Sequence, residues 1–171
     1  MPKTLYLVRH AKSSWDDAGL ADRDRPLNDR GLRDAPDMGK RLSAQGHRPD
    51  LIISSPAKRA YSTARKIAKK LGYEKSAIVK DERLYFAGTG RMLELLENLD
   101  DRHGSVMIVG HNPAMTTFLN ILCDSPVHNM PTCSIAVVGY DIDSWTELAS
   151  EEGSLLAYDF PKGSGNFLEL D

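Results

Sequence analysis

Three segments of the chain share one pattern, in which an apolar strand runs into polar residues and then into a helix. These segments are LYLVRHAKSS, LIISSPAKRAYSTA and VMIVGHNPAM. Strand-to-helix units of this kind build parallel sheets, because each helix returns the chain to the edge where the next strand begins. The carboxyl ends of the strands then lie along one edge, where open α/β sheets bind ligands. The pattern predicts an α/β fold with a functional site at that edge.

The rest of the chain continues the alternation of strand and helix patterns. Strands are predicted at residues 3–9, DLIISS, AIVKDE, SVMIVG, CSIAVVGYDI and SLLAYDF. Helices are predicted from Asn28 to about Leu42, from Pro56 to Leu71, from about Arg91 to Leu99 and over NPAMTTFLNILC. Such alternation is typical of a three-layer α/β/α sandwich with a mostly parallel central sheet. The chain has neither repeats nor linkers, so we expect residues 1–171 to form a single domain.

Composition and charge argue against several classes of protein. The formal net charge is -2, which does not predict a nucleic-acid partner. No apolar run is long enough to cross a bilayer, and the N-terminus enters a strand directly instead of a signal peptide. Cys123 and Cys133 match neither a CxxC pair nor a disulfide framework, which favours reduced thiols in a cytoplasmic protein. A monomer is the default expectation for a small uninterrupted domain.

The predicted edge concentrates two imidazoles and two guanidiniums. Arg9 and His10 follow the first strand, and His111 follows the central strand. Arg59 lies in the first turn of the second helix, where the helix N-terminus favours anions. Guanidiniums hold phosphoryl oxygens in bidentate fashion, and a neutral imidazole can attack phosphorus. A lone histidine at a strand end is more often structural, but two arginines at parallel positions favour a phosphatase.

The segments at this edge resemble the histidine phosphatase superfamily in their order and structural context. The resemblance is carried by Arg9-His10 after a strand, by SSPAKRAYSTA and by GHNPA. Within the superfamily, RHAKSSW, DRDRPLNDRG and MPTCSIA are similar to the SixA type of phosphohistidine phosphatase. The resemblance extends from about Leu5 to Val138 and implies the phosphoglycerate mutase-like fold.

The resemblance also implies a role for each residue of the cluster. His10 matches the family nucleophile, which carries the phosphoryl group as a phosphohistidine intermediate. Arg9, Arg59 and His111 match the residues that bind the equatorial oxygens and stabilise charge in the transition state. No metal or other cofactor is implied, and the sequence contains no HxH, HExxH or carboxylate cluster of metal-binding spacing.

The general acid is expected in the segment that follows the third strand. Glu82 matches the family position best, and Asp81 is the neighbouring alternative. A carboxyl group that donates a proton near neutral pH needs partial burial or an anionic neighbour such as the phosphate. Phosphohistidine relaxes this demand, because imidazole is a better leaving group than an alkoxide.

Three further residues are candidates for phosphate contacts. Arg25 matches an arginine that lies near the site in SixA-like proteins, and Ser13 can donate from the first loop. Asn112 can donate to phosphate, or it can cap the helix that follows it. The chain departs from the wider superfamily at Ala11, where glycine is usual, and at Lys12, where many members are acidic. Lys12 makes the mouth of the predicted site more cationic.

Other basic and aromatic residues near the predicted site have simpler interpretations. The remaining cations of the second helix are typical of a solvated helix face. Trp15 and Tyr85 flank the site in sequence, where they either line its mouth or anchor loops. His47, His103 and His128 have no arginines at parallel positions, and we interpret them as loop or surface residues.

The chain has little room for a lid over the predicted site, because only about eight residues separate the strand near Lys80 from the helix near Thr89. An open site admits a phosphorylated side chain on another protein, so we expect a phosphohistidine-bearing protein as substrate. The first alternative is a phosphatase of small phosphomonoesters such as a sugar phosphate or nucleotide. The second is a non-catalytic module that binds phosphate or phosphoproteins. The presence of both His10 and Glu82 disfavours that module.

Overall fold

Residues 2–163 and 168–169 are described by the computed structural model, which arranges them as a sheet with helices on both faces. The strands are β1 (Lys3–Arg9), β2 (Leu51–Ser54), β3 (Ile78–Lys80), β4 (Ser105–Gly110), β5 (Ile135–Tyr140), β6 (Ser154–Asp159) and β7 (Leu168–Glu169). The helices are α1 (Asp29–Ala44), α2 (Lys58–Lys70), α3 (Thr89–Glu97) and α4 (Ala114–Leu122). Short 3-10 helices lie at Asp22–Asp24, Lys75–Ala77, Glu82–Leu84 and Trp145–Ser150.

The sheet has two halves with different strand pairing. Its order over the described residues is β3-β2-β4-β1-β5-β6-β7. The pairs β2–β3, β2–β4 and β1–β4 are parallel, whereas β1–β5, β5–β6 and β6–β7 are antiparallel. The predicted three-layer α/β fold is confirmed, and the predicted parallel pairing applies to the half that contains the three strand-to-helix segments.

Side-chain alternation along β1 supplies the two faces of the sheet. Leu5 and Leu7 are fully buried against α3 and α4, while Tyr6 and Val8 face α1 and α2. Because successive side chains of a strand point to opposite faces, this apolar strand requires cover on both sides. The two helical layers provide that cover.

The first helix shows how local sequence sets the entry to the site. The Asn28 side chain accepts a hydrogen bond from the Gly31 N–H and caps α1. A Cβ built on Gly31 would lie 2.2 Å from the Lys12 carbonyl oxygen, so only glycine permits this approach to the loop after β1. Pro36 lies within the helix, and Gly46 follows it with φ +78°.

Some elements differ from the sequence-based expectation. Helix α2 begins two residues after the predicted Pro56, and α3 begins at Thr89 rather than Arg91. The 3-10 helix Trp145–Ser150 was not predicted because it has no helical periodicity. A capping box between Ser144 and Glu147 starts it, and its Trp145 side chain is fully buried.

Two absences can be stated for the part of the chain that the structure describes. There, no helix is both long and apolar enough to cross a membrane. In that same part, no group of three or more His, Cys, Asp or Glu side chains is arranged to hold a metal ion. Cys123 and Cys133 are both buried, and neither forms a disulfide.

Candidate active site

The carboxyl ends of three adjacent parallel strands form the floor of the site. The β1 and β4 ends are in register, with Arg9 opposite Gly110, and the His10 N–H donates to the Gly110 carbonyl at 3.0 Å. The end of β2 lies on the other side of β4, where Ser55 follows it. The ring centroids of His10 and His111 are 5.1 Å apart. The structure thus brings together the two imidazoles that the sequence placed at separate strand ends.

His10 is a buried, neutral imidazole with a defined tautomer. Its Nδ1 lies 2.7 Å from the Ala11 carbonyl oxygen, which can only accept, so Nδ1 carries the proton. The lone pair is therefore on Nε2. Burial, with a smaller effect of the nearby cations Arg59, Arg9 and Arg25, lowers the pKa of His10 to about 4. At neutral pH His10 is consequently uncharged and can act as a nucleophile.

His111 is held by a different hydrogen bond. Its Nε2 lies 2.8 Å from Ser55 Oγ, and that oxygen also accepts from the Ala57 N–H at 3.2 Å. The Ser55 hydroxyl proton is satisfied when it is donated to Nε2, which leaves the ring proton on Nδ1. Nδ1 is buried without a hydrogen-bond partner among the described residues. Burial, followed by the effect of His10 and Arg59, lowers the pKa of His111 to about 3.

One buried arginine, Arg59, and one half-buried arginine, Arg9, supply the cationic part of the site. Arg9 Nη1 donates to the Met130 carbonyl at 2.8 Å, and Arg59 Nη1 donates to the Asp22 carbonyl at 2.6 Å. Within the described residues, the Nε atoms of both arginines are buried and lack partners. Buried donors of this kind require an acceptor. Together with His111 Nδ1 they can bind the oxygens of a phosphoryl group.

Asp22 closes the cationic cluster from the loop before α1. Its carboxylate accepts from Arg59 Nη2 at 3.0 Å, from the Tyr85 hydroxyl at 2.5 Å and from Arg25 at 3.3 Å. The hydrogen bond from Tyr85, with further help from Arg59, lowers the pKa of Asp22 to about 2. Asp22 was not predicted, because its loop has no periodic pattern and the contact spans 37 residues.

Arg25 and Ser13 lie beside the cationic cluster that Asp22 closes. Arg25 is almost fully buried and donates to Ser13 Oγ at 2.6 Å and to the Ser14 carbonyl at 3.1 Å. Its guanidinium carbon lies 3.2 Å from the ring centroid of Trp15, which is 72% exposed. Ser13 thus positions Arg25, and Trp15 covers it at the mouth of the site. A direct phosphate contact by either Arg25 or Ser13 stays a prediction.

Asn112 links the strand end to the neighbouring loop. Its amide donates to the Met130 carbonyl at 3.0 Å and to Asn129 Oδ1 at 3.2 Å. Its Oδ1 accepts from the Thr116 N–H at 3.2 Å in the first turn of α4. Both amide hydrogens are therefore engaged, in keeping with the capping interpretation. Its phosphate contact also stays a prediction.

The two candidate acids are both held by arginines. Glu82 forms a bidentate pair with Arg23, at 2.7 and 3.0 Å, and its side chain is 67% exposed. Asp81 pairs with Arg83 at 2.7 Å. The Arg23 hydrogen bond lowers the pKa of Glu82, and the Arg83 hydrogen bond lowers that of Asp81. Both carboxyls are ionised near neutral pH in this arrangement. A proton-donor role for either one stays a prediction.

Aromatic residues form one wall of the site. The Phe86 ring centroid lies 4.7 Å from that of His111, and the Tyr85 centroid lies 5.4 Å from it. Phe86 is 55% exposed and has φ 52°, a conformation that bulky residues rarely adopt. Phe86 was not predicted. The only signal in the sequence was that Tyr85 and Phe86 are consecutive aromatic residues.

The other three histidines lie in loops outside this cluster. The Tyr6 hydroxyl is 2.9 Å from His47 Nδ1, and the backbone carbonyl of His103 accepts from Trp145 Nε1. His128 is exposed and lines a groove beside Arg9.

Comparisons with known proteins show the family to which the chain belongs. Residues 5–85 match the family model described as histidine phosphatase superfamily (branch 1). An uncharacterized chloroplastic protein of Arabidopsis thaliana is 31% identical over 159 residues, which cover 88% of this chain and 72% of that protein.

Solved structures of SixA proteins share the fold. SixA from Agrobacterium tumefaciens, assigned as a phosphohistidine phosphatase, is 30% identical with a TM-score of 0.78. The match covers 92% of this chain and 97% of that one. The protein histidine phosphatase SixA in complex with tungstate has the same TM-score and coverage at 24% identity. The chain therefore belongs to the histidine phosphatase superfamily, is of the SixA type, and is a phosphatase.

Proposed function

We propose that this phosphatase hydrolyses phosphohistidine on a protein substrate, without a metal ion, through a phosphoryl intermediate on His10. The observation that carries the proposal is the neutral His10 ring, whose proton is fixed on Nδ1 by the Ala11 carbonyl. The His111 ring lies 5.1 Å from it, Arg9 and Arg59 act on its pKa, and all three side chains have buried donors without partners among the described residues. A nucleophile and a set of oxygen-binding donors are what phosphoryl transfer requires of a protein.

The reaction then has two balanced steps. His10 Nε2 attacks phosphorus while the P–N bond to the substrate imidazole breaks, and the departing nitrogen takes a proton from solvent. Water then attacks the phosphoryl group on His10, which releases inorganic phosphate and restores the neutral ring. In both steps Arg9 and Arg59 compensate the charge on the phosphoryl oxygens, the task that a metal ion performs in other phosphatases.

The state of the carboxyl groups supports phosphohistidine over an alkyl phosphate. An alkoxide leaving group needs a proton donor, but Glu82 and Asp81 are both paired with arginines that lower their pKa. Imidazole leaves more readily than an alkoxide, so cleavage of a P–N bond depends less on such a donor. The site as built is therefore better suited to a phosphoramidate.

The shape of the site supports a protein substrate. Strand β3 ends at Lys80 and α3 begins at Thr89, so the connection has only eight residues and includes a 3-10 helix. The rim side chains Trp15 and Phe86 are exposed. The names of the SixA relatives, which are described as phosphohistidine or protein histidine phosphatases, point the same way.

The test compares two substrates after treatment with EDTA. Turnover of a histidine-phosphorylated protein and of p-nitrophenyl phosphate is measured for the wild type, for His10→Ala and for His103→Ala. His103 is the matched control, because it is a histidine outside the cluster. We expect EDTA-resistant turnover of the phosphohistidine protein that is lost only in His10→Ala.

Each other outcome has a distinct meaning. A strong preference for p-nitrophenyl phosphate would show that the substrate is a small phosphomonoester and would overturn the phosphohistidine proposal. Loss of activity with EDTA and recovery with a divalent cation would overturn metal independence. Equal turnover by wild type and His10→Ala would overturn the phospho-His10 intermediate.

A further inference from the structure

The outer surface of α2 and the segment after it carry positive charge that the reaction at His10 does not use. We call this surface the α2 cationic face, formed by Lys58, Arg65, Lys66, Lys69, Lys75 and Lys80. Residues 58–80 contain eight Lys and Arg and one Glu, although the whole chain has a net charge of -2. Positive charge is thus concentrated on one surface of a molecule that is acidic as a whole.

The cations of this face have no carboxylate partners in the described part of the chain, where none of their nitrogens lies within 4.0 Å of a carboxylate oxygen. Several arginines elsewhere on the surface are paired with carboxylates, as Arg30 is with Asp34 at 3.3 Å. Like charges at i,i+4, such as Arg65 and Lys69, destabilise a helix. These cations have no carboxylate partner in the described part of the chain, and their mutual repulsion opposes helix formation. They are therefore available to bind an anionic surface of another molecule.

Two tyrosines add aromatic surface to the α2 cationic face. Lys80 Nζ lies 4.2 Å from the ring centroid of Tyr61, and the Arg65 guanidinium carbon lies 5.3 Å from it on the same ring. Further along, Tyr73 lies in a surface depression of about 520 Å³. The other residues that line the depression are Arg65, Lys66, Lys69, Gly72, Glu74 and Lys75.

The α2 cationic face begins at the catalytic site. Arg59, which we assign to the phosphoryl group, is in the first turn of α2, and the exposed Lys58 precedes it. Exposed Arg65 and Lys69 follow at helical spacing on the same side. A 13-residue helix extends about 20 Å. A protein that covers about 800 Å² of this surface could contact the helix and reach His10 at the same time.

We propose that the α2 cationic face is a docking surface for an acidic protein that carries the phosphohistidine. This inference rests on the proposed function. An open phosphate site provides few contacts beyond the phosphoryl group, so recognition of the partner has to come from the surface around it. Complementary charge also raises the rate of encounter and orients the partner before contact. Outside this face the molecule is net negative, and it would repel the continuous negative charge of a nucleic acid. We therefore expect the partner to be a protein.

The experiment compares two charge-reversal variants of the full chain. The double variant Lys66→Glu/Lys69→Glu changes the α2 cationic face, and Arg102→Glu/Lys162→Glu makes the same change in net charge at exposed positions outside it. The kcat/KM is measured on a histidine-phosphorylated protein of net negative charge and on p-nitrophenyl phosphate. Both measurements are made at about 50 mM and about 500 mM salt, and circular dichroism checks that each variant is folded.

We expect Lys66→Glu/Lys69→Glu to lose at least about tenfold in kcat/KM on the phosphoprotein at low salt, because steering fields change association by about 10- to 1000-fold. Its turnover of p-nitrophenyl phosphate, and both activities of the control variant, should stay within about twofold of wild type. High salt should remove most of the difference between the variant and the wild type.

Equal losses in both double variants, or none in either, would overturn the docking surface while leaving the proposed function intact. Failure of the wild type to turn over any phosphohistidine protein would overturn the proposed function, and the docking surface with it. Retention of single-stranded RNA by the wild type but not by Lys66→Glu/Lys69→Glu, with phosphoprotein kinetics unchanged, would assign the face to nucleic acid instead.

Discussion

His10 and His111 occupy equivalent places at the ends of neighbouring parallel strands, yet different ring nitrogens are left available. His10 donates its Nδ1–H to the Ala11 carbonyl, so the lone pair is on Nε2 and is available for attack. The Ser55 hydroxyl donates to Nε2 of His111, so its Nδ1–H is free to donate. Both rings are buried and both pKa values are lowered by burial. One neighbouring hydrogen bond thus distinguishes the role that we propose for His10, a nucleophile, from the role that we propose for His111, an oxyanion donor.

The largest effect is expected from removal of the nucleophile. His10→Ala should reduce single-turnover hydrolysis of a phosphohistidine protein by on the order of 10⁵-fold or more, as for other enzymes that lose a covalent nucleophile. The phosphoenzyme seen by mass spectrometry at alkaline pH should disappear. A phosphoenzyme that persists in this variant would place the nucleophile at another residue.

Removal of the donor should have a smaller effect. His111→Ala should lower kcat by about 10²- to 10³-fold, because it deletes one preorganised donor to the phosphoryl oxygens. Ser55→Ala should cost about 3- to 10-fold, because it releases the tautomer of His111 without removing the ring. Rapid-quench kinetics provide the measurement. If His111→Ala lost as much activity as His10→Ala, the two roles would not be separable.

The acid limb of the pH profile tests the electrostatics of His10. The ring attacks only when it is unprotonated, and its pKa is lowered to about 4, so kcat/KM should persist below pH 6.5 and fall near pH 4. Arg59 is one of the cations that lower this pKa. Arg59→Gln should therefore move the acid limb to higher pH as well as weaken phosphate binding. An unmoved acid limb in Arg59→Gln would assign it to a group other than His10.

The smallest effect is expected at Asp22, which occupies donors of Arg59 and raises the pKa of His111. Replacement of Asp22 by Asn removes a carboxylate that competes with phosphate for the Arg59 guanidinium. The Kd for vanadate should fall by about 2- to 5-fold, since the carboxylate is partly exposed and its interaction is screened. Isothermal titration calorimetry measures the change. Weaker vanadate binding in Asp22→Asn would mean that Asp22 orients Arg59 instead of competing for it.

Much of the fold could be predicted because its signals are local. The continuous apolar run in β1, the cap at Asn28 and the glycine at Gly46 each mark an element in a short stretch of sequence. The orientation of β5 has no local signal, because it depends on how β5 pairs with β1, about 130 residues earlier in the chain. The antiparallel half of the sheet was therefore not specified by the sequence pattern.

The site divides in the same way. His10, Arg9, Arg59 and His111 follow strand ends, so the topology predicts that they meet. The groups that hydrogen-bond to these four residues come from connecting segments, whose conformation depends on contacts between residues far apart in sequence. Asp22 reaches Arg59 across 37 residues, and the Met130 carbonyl reaches Arg9 across 121. Neither hydrophobic periodicity nor motif spacing predicts such contacts. The pairing of Glu82 with Arg23 was missed for the same reason.

The contact between Trp15 and Arg25 has an optical consequence. The chain has two tryptophans, and they lie in opposite environments: Trp145 is fully buried, whereas Trp15 is 72% exposed and stacks on the Arg25 guanidinium. Emission from Trp145 should be blue-shifted and insensitive to external quenchers, while emission from Trp15 lies at longer wavelength. Because Arg25 also contributes to the electrostatics of His10, arrival of an oxyanion should alter the Trp15 component alone. The protein thus carries one native fluorophore beside the proposed phosphate site and a second one that serves as an internal reference.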